Sequence, residues 1–485
     1  MNYLSRPVLP KGRTATYGVS HQSEAQDYGT RRLTGSSSRE HCVIKSVSHL
    51  AKAVMAIYRR TAAVVAWAVL AAMGGFVASP TATKALPTAS PLRAVDLVAS
   101  VQLPVSGLED HSRFGTSVAI FGSIAVVGAP LDDNAAGTDA GAAYVFTRSG
   151  TTWTQESMLI GTDTSSGDRF GTSVDVFAGG GGFVHVVVGA PFDDNPAGID
   201  AGAAYIFRRE GTTWSQARKV TIGHNRGTND QFGSSVTIAR SDALIGVPLD
   251  DTPNPGGRSG SGSVSVFYRP EDWGFRSSFN DGASAGDFRR FGTAVEMSAL
   301  TAVVGAPKEG GGAVYVFERP DDPVSPWTQQ ARLTSEFSAE DFGTSVAVDG
   351  DDLVVGEPTT STFFGQGIVY VFKRSGTTWQ QTERVLGSGG DPLAFGQSVA
   401  ISGTSAGRTI MVGAPDTNQR TGIVHVYRQS GSTLQFQHTI TASDASTTDR
   451  FGHDVDLTVG TALIGAPNDN TTGTDNGSAY VVSAP

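Results

Sequence analysis

From residue 95 onward, short apolar runs rich in Val, Ile, Tyr, Phe and Thr alternate with clusters of Gly, Asp, Asn and Ser. Thr116 to Phe121, Ile124 to Gly128, Ala142 to Arg148 and Trp153 to Ile160 are four such runs in succession, each with the length and composition of a strand. The first two are joined by a tight turn, as Asp349-Gly350-Asp351-Asp352 illustrates further along. No segment of helical periodicity long enough for a crossover separates the runs, so parallel pairing is disfavoured and the strands are expected to be antiparallel.

The four-run pattern recurs. Phe-Gly appears at Phe114, Phe170, Phe232, Phe291, Phe342, Phe395 and Phe451, with 51 to 62 residues between successive copies. Fourteen to 19 residues after each comes Gly-X-Pro, beginning at Gly128, Gly189, Gly246, Gly305, Gly356, Gly413 and Gly465. A third mark follows, Tyr144-Val145-Phe146 in the first copy and Tyr205-Ile206-Phe207 in the second. A fourth run with Trp comes next, at Trp153, Trp214, Trp327 and Trp379, with weaker versions at Trp273 and at Leu434 to Ile440. The seventh copy lacks it and stops at Tyr480-Val481-Val482, while a spare apolar run, Val95 to Pro104, precedes the first Phe-Gly. Repeats of this kind predict an all-β, seven-bladed β-propeller with four antiparallel strands per blade, closed by an N-terminal strand so that no sheet edge is left open.

Phe-Gly followed by Gly-Ala-Pro, in seven copies at this spacing, resembles the FG-GAP repeats of integrin α-subunit propellers and of many secreted bacterial proteins. The resemblance covers about 390 of the 485 residues. It implies extracellular ligand binding and adhesion, often with calcium held by an Asp-X-Asp-X-Asp-Gly loop between the first two strands. The corresponding turns here, Phe121-Gly122-Ser123 and Asp349-Gly350-Asp351, are too short for that loop, so the integrin calcium site is not carried over.

Charge divides the chain. Residues 1–94 hold 12 Lys/Arg and 3 Asp/Glu, whereas the rest holds 24 against 43, a formal charge of −19 that argues against a nucleic-acid partner. The single cysteine, Cys42, lies outside the repeats, so no disulfide supports the ring; integrin propellers of animals use disulfides, and a bacterial source is the expectation. Residues 1–54 form a polar, basic extension, disordered or not translated, with Met55 an alternative start. Arg59-Arg60 and the apolar stretch Ala62 to Ala78 make 55–78 a secretory signal or, read otherwise, a short membrane anchor; 79–94 is a Pro/Thr/Ala/Ser linker to the propeller at 95–485. Secretion or cell-surface display follows, with membrane contact only if 62–78 is an uncleaved anchor.

Catalytic signatures are few. Gly403-Thr404-Ser405-Ala406-Gly407 matches G-x-S-x-G but falls on a hairpin turn rather than between a strand and a helix. His185 and His425 lie on strands, where a packed or solvated histidine is the default. The sevenfold marks themselves serve a sevenfold scaffold, and function is expected where the copies differ.

They differ after Gly-X-Pro. Copy 1 carries Asp132-Asp133-Asn134 and Asp139, copy 2 Asp193-Asp194-Asn195 and Asp200, copy 3 Asp250-Asp251, and copy 7 Asn468-Asp469-Asn470 and Asp475. On a closed ring these loops form one arc of one face, joined by Asp168, Asp230, Asp287, Asp341 and Asp449 between blades. Three explanations stand. The residues can serve turns and solubility; they can hold calcium through Asp132, Asp133, Asp139, Asp193, Asp194, Asp200, Asp469 and Asp475; or they can bind a cationic partner through Asp132, Asp133, Asp193, Asp194, Asp250, Asp251 and Asp469. The expected function is a non-catalytic binding or adhesion module for an extracellular protein or glycan. The alternatives are a propeller hydrolase or lyase acting on glycans over the central channel, or a structural envelope component.

Overall fold

In the computed structural model each repeat folds as the alternation predicts. In the first, Ser117–Phe121, Ile124–Ala129, Ala142–Ser149 and Thr152–Leu159 pair in chain order, antiparallel throughout. The structure describes residues 100–179, 182–221, 227–251, 260–280, 288–322, 325–336, 341–359, 366–387, 393–404, 407–431, 433–471 and 473–483. The extension, the signal or anchor, the linker and residues 95–99 of the closing strand lie outside them. Among the described residues 28 strands form seven four-stranded sheets, and helix is confined to a turn at Arg269–Glu271 and one at Thr417–Arg420. The first strand of each sheet packs on the first strand of the next, and the seventh on the first, which closes the ring.

Closure uses the two ends of the propeller. Val101 and Gln102 pair with Val481 and Tyr480 in the last strand, Ser478–Val482, and the Leu103 N–H donates to the Ala479 carbonyl at 2.8 Å. The ladder stops before Pro104, which has no N–H to offer. The seventh blade thus takes its fourth strand from the N-terminal side of the first.

Both sequence marks turn out to be halves of one joint between blades. A Cβ on Gly128 would lie 2.0 Å from the carbonyl oxygen of Gly171, the glycine of the next Phe-Gly, and a Cβ on Gly465 would lie 2.0 Å from that of Gly115. Only a glycine lets two backbones approach this closely. Beside the joint, the Ser117 hydroxyl donates to the Gly171 carbonyl at 2.9 Å; Ser173, Ser235, Ser345 and Ser398 repeat the bond at 2.8 to 2.9 Å. The phenylalanine fills the wedge behind it. Phe170 is fully buried, meets Tyr205 of its own blade edge-on at 5.3 Å, and packs in one cluster with Val126 and Val145 of the blade before. Burying a ring of that size contributes roughly 2 to 3 kcal/mol at each interface.

Candidate functional site

The loops after Gly-X-Pro and the connectors between blades meet on one face. Gly167, Arg169 and Phe170 donate their N–H groups to the carbonyls of Thr138, Asp139 and Ala140, and His111, Arg113 and Phe114 do the same to Thr474, Asp475 and Asn476. The loops of blades 7, 1 and 2 therefore follow one another around the rim, as a closed ring requires.

Within this arc the aspartates separate into two populations. The first of each pair points inward: Asp132, Asp193, Asp250 and Asp469 are 0, 1, 2 and 3% exposed. Tyr144 donates its hydroxyl to Asp132 at 2.7 Å and Tyr205 to Asp193 at 2.8 Å; Tyr480 donates to Asp469, and Ser263 to Asp250 at 2.5 Å. Burial pushes the Asp132 carboxyl up and the phenolic groups of Tyr144, Tyr205 and Tyr480 well above their usual range. All four lie beneath their loops and brace them through these hydrogen bonds, rather than standing out on the face as the exposed aspartates do. Glu309 and Glu357 take the same part in blades 4 and 5, each accepting the hydroxyl of Tyr315 or Tyr370 at 2.7 Å.

Asp133, Asp194 and Asp251 form the second population and are exposed. Each also closes its loop, Asp133 accepting the Asp139 N–H at 2.8 Å, Asp194 that of Asp200 at 2.9 Å and Asp251 that of Gly260 at 2.6 Å. Asn134 and Asn195 bridge to Gly141 and Gly202. The eight residues considered for calcium are thus dispersed between the buried and exposed layers. Among the described residues no three His, Cys, Asp or Glu side chains converge to hold a metal ion. Of the connector aspartates, Asp168, Asp230 and Asp449 are buried, Asp341 pairs with Lys308, and Asp287 lies outside the described residues.

A second acidic group lies where sequence reading did not look. A channel of about 370 Å³ runs between the first strands of all seven blades, lined mostly by Ser, Thr, Val and Ala. Four carboxyl groups, Asp175, Glu296, Asp454 and Asp456, interrupt that lining, and His453 joins them. Asp454 accepts the N–H of Val118 at 2.8 Å and Asp456 that of Ile120 at 2.7 Å, both across the seam from blade 7 to blade 1. Asp175 accepts that of Ile238 at 2.6 Å across the seam from blade 2 to blade 3. Burial, followed by the charge of Asp456, pushes Asp175 up to about 7; burial does the same to Asp454. Glu296 is raised well above the carboxylate range by burial and by the charges of Asp175, Asp456 and Asp454. The signal for this cluster is present in the sequence: a charged residue breaks the Ser-Val-Ala-Ile pattern of the first strand in copies 2, 4 and 7.

The remaining candidates are structural. Thr404 pairs with Gly407 at the end of an antiparallel hairpin, so G-x-S-x-G has strand on both sides; Ser405 and Ala406 lie outside the described residues. His185 stands edge-on to Trp273 at 5.4 Å and His425 to Phe395 at 5.5 Å, and burial lowers both to about 4, leaving them neutral.

The family model described as FG-GAP repeat matches residues 103–146, 153–207, 214–267, 327–372 and 435–482, a little over half of the chain. No curated protein matches the chain. Among solved structures the chain is similar to the periplasmic gluconolactonase of Pseudomonas aeruginosa, at 11% identity and a TM-score of 0.43, over 68% of this chain and 86% of that one. A likeness of that size carries no inference about activity.

Proposed function

The chain belongs to the FG-GAP repeat family, and from that premise we propose that it is a binding module of the cell surface or the extracellular space, taking a cationic ligand on its acidic loop face. The observation that carries this reading is the run of exposed carboxylates Asp133, Asp194 and Asp251 on successive blades, held at fixed spacing by loops whose inner aspartates are locked to tyrosine in blades 1 and 2 and to Ser263 in blade 3. A rigid array of one sign raises the local concentration of an oppositely charged partner and orients it. Export through residues 55–78 is part of the proposal and rests on the sequence pattern.

The test is binding of the full chain to immobilised poly-L-lysine, compared with an Asp133→Asn, Asp194→Asn, Asp251→Asn variant. Asparagine keeps the side-chain oxygen that closes each loop. We expect weaker binding in the variant and a steep loss with salt in the parent. Equal binding by both proteins at low salt would remove the loop face from consideration.

The channel supports a second reading, because carboxyl groups titrating near 7 in an enclosed space are the kind of pair that general acid-base chemistry on glycans uses. Its test is turnover of a glycan panel by the full chain and loss of that turnover in Asp454→Asn.

A further inference from the structure

The connectors entering blades 2 and 7 share a plan. Asp163, Ser165, Asp168 and Phe170 of the first correspond by position to Asp444, Ser446, Asp449 and Phe451 of the second, and Asp193 and Tyr205 to Asp469 and Tyr480. In both, the serine N–H caps the connector aspartate, at 2.7 Å in blade 2 and 2.5 Å in blade 7. In both, one tyrosine hydroxyl faces two carboxylates: Tyr205 meets Asp163 and Asp193, and Tyr480 meets Asp444 at 2.7 Å and Asp469. A hydroxyl has one proton to give, so the tyrosine alone cannot serve both carboxylates.

Blade 2 completes its pocket with a cation of its own. Lys219, opposite Tyr205 on the fourth strand, places its ammonium 2.8 Å from both Asp163 and Asp193 and over the Tyr205 ring at 5.1 Å. In blade 7 the added donors are uncharged: Thr471 places its hydroxyl 2.6 Å from Asp469 and 3.1 Å from Asp444 and donates its N–H to Asp469 at 2.8 Å, while Gln102, the residue opposite Tyr480, turns away to donate to Ser478 at 2.6 Å. Among the described residues no lysine or arginine bridges to Asp444, Asp449 or Asp469. Asp449 is 1% exposed, and its Oδ1 has no hydrogen-bond partner. Asp469 and Asp444 stand close enough for their charges to act on it, and burial first, then those charges, push it up to about 6. Asp444 itself is exposed, so the pocket opens to solvent on the loop face.

We propose that the blade 7 pocket formed by Asp444, Asp449, Asp469 and Tyr480 binds a primary ammonium group from outside, the ε-ammonium of a lysine on a partner protein, in the place that Lys219 fills from within in blade 2. The blade 2 lysine is the reason for choosing an ammonium over a metal ion, since no metal-holding group of side chains is found among the described residues. The ammonium offers three N–H donors in a compact head and brings a positive charge to three carboxylates that have none beside them among the described residues, one of which, Asp449, keeps a bare Oδ1. The inference deepens the proposed function by naming a ligand group, but it concerns a different set of residues from Asp133, Asp194 and Asp251. Loss of poly-L-lysine binding in the loop variant and the outcome below are therefore separate results.

The test is the melting temperature of the full chain with n-butylammonium chloride, with tetramethylammonium chloride at equal ionic strength as the control without N–H donors. We expect butylammonium alone to raise the melting temperature, by roughly 1 to 3 °C near saturation. Gln102→Lys fills the pocket in cis, so it should melt higher than the parent and lose the response; Asp449→Asn should also lose it. Lys219→Gln opens the second pocket and should melt lower in buffer, with butylammonium restoring part of the loss. Nα-acetyl-lysine methylamide should act as butylammonium does, and glucosamine should act less. An equal response to both ammonium salts, an undiminished response in Gln102→Lys, a larger effect of glucosamine, or a calcium effect that Asp449→Asn removes would each overturn the proposal.

Discussion

Replacing Glu296 by glutamine should stabilise the propeller, and do so more at pH 8 than at pH 4.5. Glu296 stands in the channel with the charges of Asp175, Asp454 and Asp456 acting on it, and its carboxylate accepts the N–H of Met297, a bond that glutamine can keep through its oxygen. Burial raises all four groups, and neighbouring carboxylate charge adds to it at Glu296, Asp175 and Asp454, so their ionisation in the folded state is unfavourable. A carboxyl whose folded pKa lies above its unfolded value holds its proton more tightly in the folded state. The stability it contributes is complete below the unfolded value near 4 and is lost as pH rises through the folded one. For Asp454, moved from 3.8 to about 7, the loss across that window has an upper bound of about 4 kcal/mol at about 1.4 kcal/mol per pH unit. Dielectric screening reduces it, and about 1 to 2 kcal/mol for the cluster's response to one neutralisation is the figure we expect. The assay is urea denaturation of parent and Glu296→Gln from pH 4.5 to 8, reading the difference between the two proteins so that groups common to both cancel. A variant equal to or less stable than the parent at pH 8, or a difference that shrinks as pH rises, would refute the reasoning.

Three further substitutions test the scaffold. Gly465→Ala drives a Cβ to 2.0 Å from the Gly115 carbonyl oxygen, backbone against backbone, and should cost about 3 kcal/mol or more in denaturant unfolding. Gly150→Ala, at φ 62° with nothing within 4 Å, should cost about 1 kcal/mol. Tyr144→Phe deprives buried Asp132 of its 2.7 Å donor and should lower stability by about 1 to 3 kcal/mol. Because the lost donor raises the Asp132 pKa further, that penalty should be larger at pH 8 than at pH 5.

The fold was legible because every blade repeats the same local rules. Alternation marks the strands, the Gly350-Asp351 turn marks a hairpin, and the spare run before Phe114 marks the closure, in whose described part, 100–104, Val101 and Gln102 pair with the last strand. The acidic site was legible only as a list of residues. Asp132 and Asp133 are adjacent and chemically identical, yet one is buried and the other exposed, and nothing local distinguishes them. The clue lay 12 residues on, in Tyr144: a tyrosine in the third mark accompanies an acid after Gly-X-Pro in copies 1, 2, 4 and 7, and in copy 5 through Glu357. Copy 6, with His425, carries Thr417 where that acid would stand. The channel carboxylates were hidden for a different reason. Asp175, Glu296 and Asp454 are far apart in the chain, and only ring closure brings their strands around a common axis.

The glycine joint has a consequence for where the chain can begin. Gly465 meets Gly115 as Gly128 meets Gly171, so the contact between last and first blades is of the same make as the contacts between consecutive ones. Order along the polypeptide is therefore not what holds neighbours together. Val101 and Val481 stand side by side in one sheet, within reach of a short connection. A chain joined there and reopened at an exposed turn such as Gly376 contains all seven joints, with every blade beside its present neighbours. The propeller is in this sense a circular text, and its present start is one of several places from which it can be read.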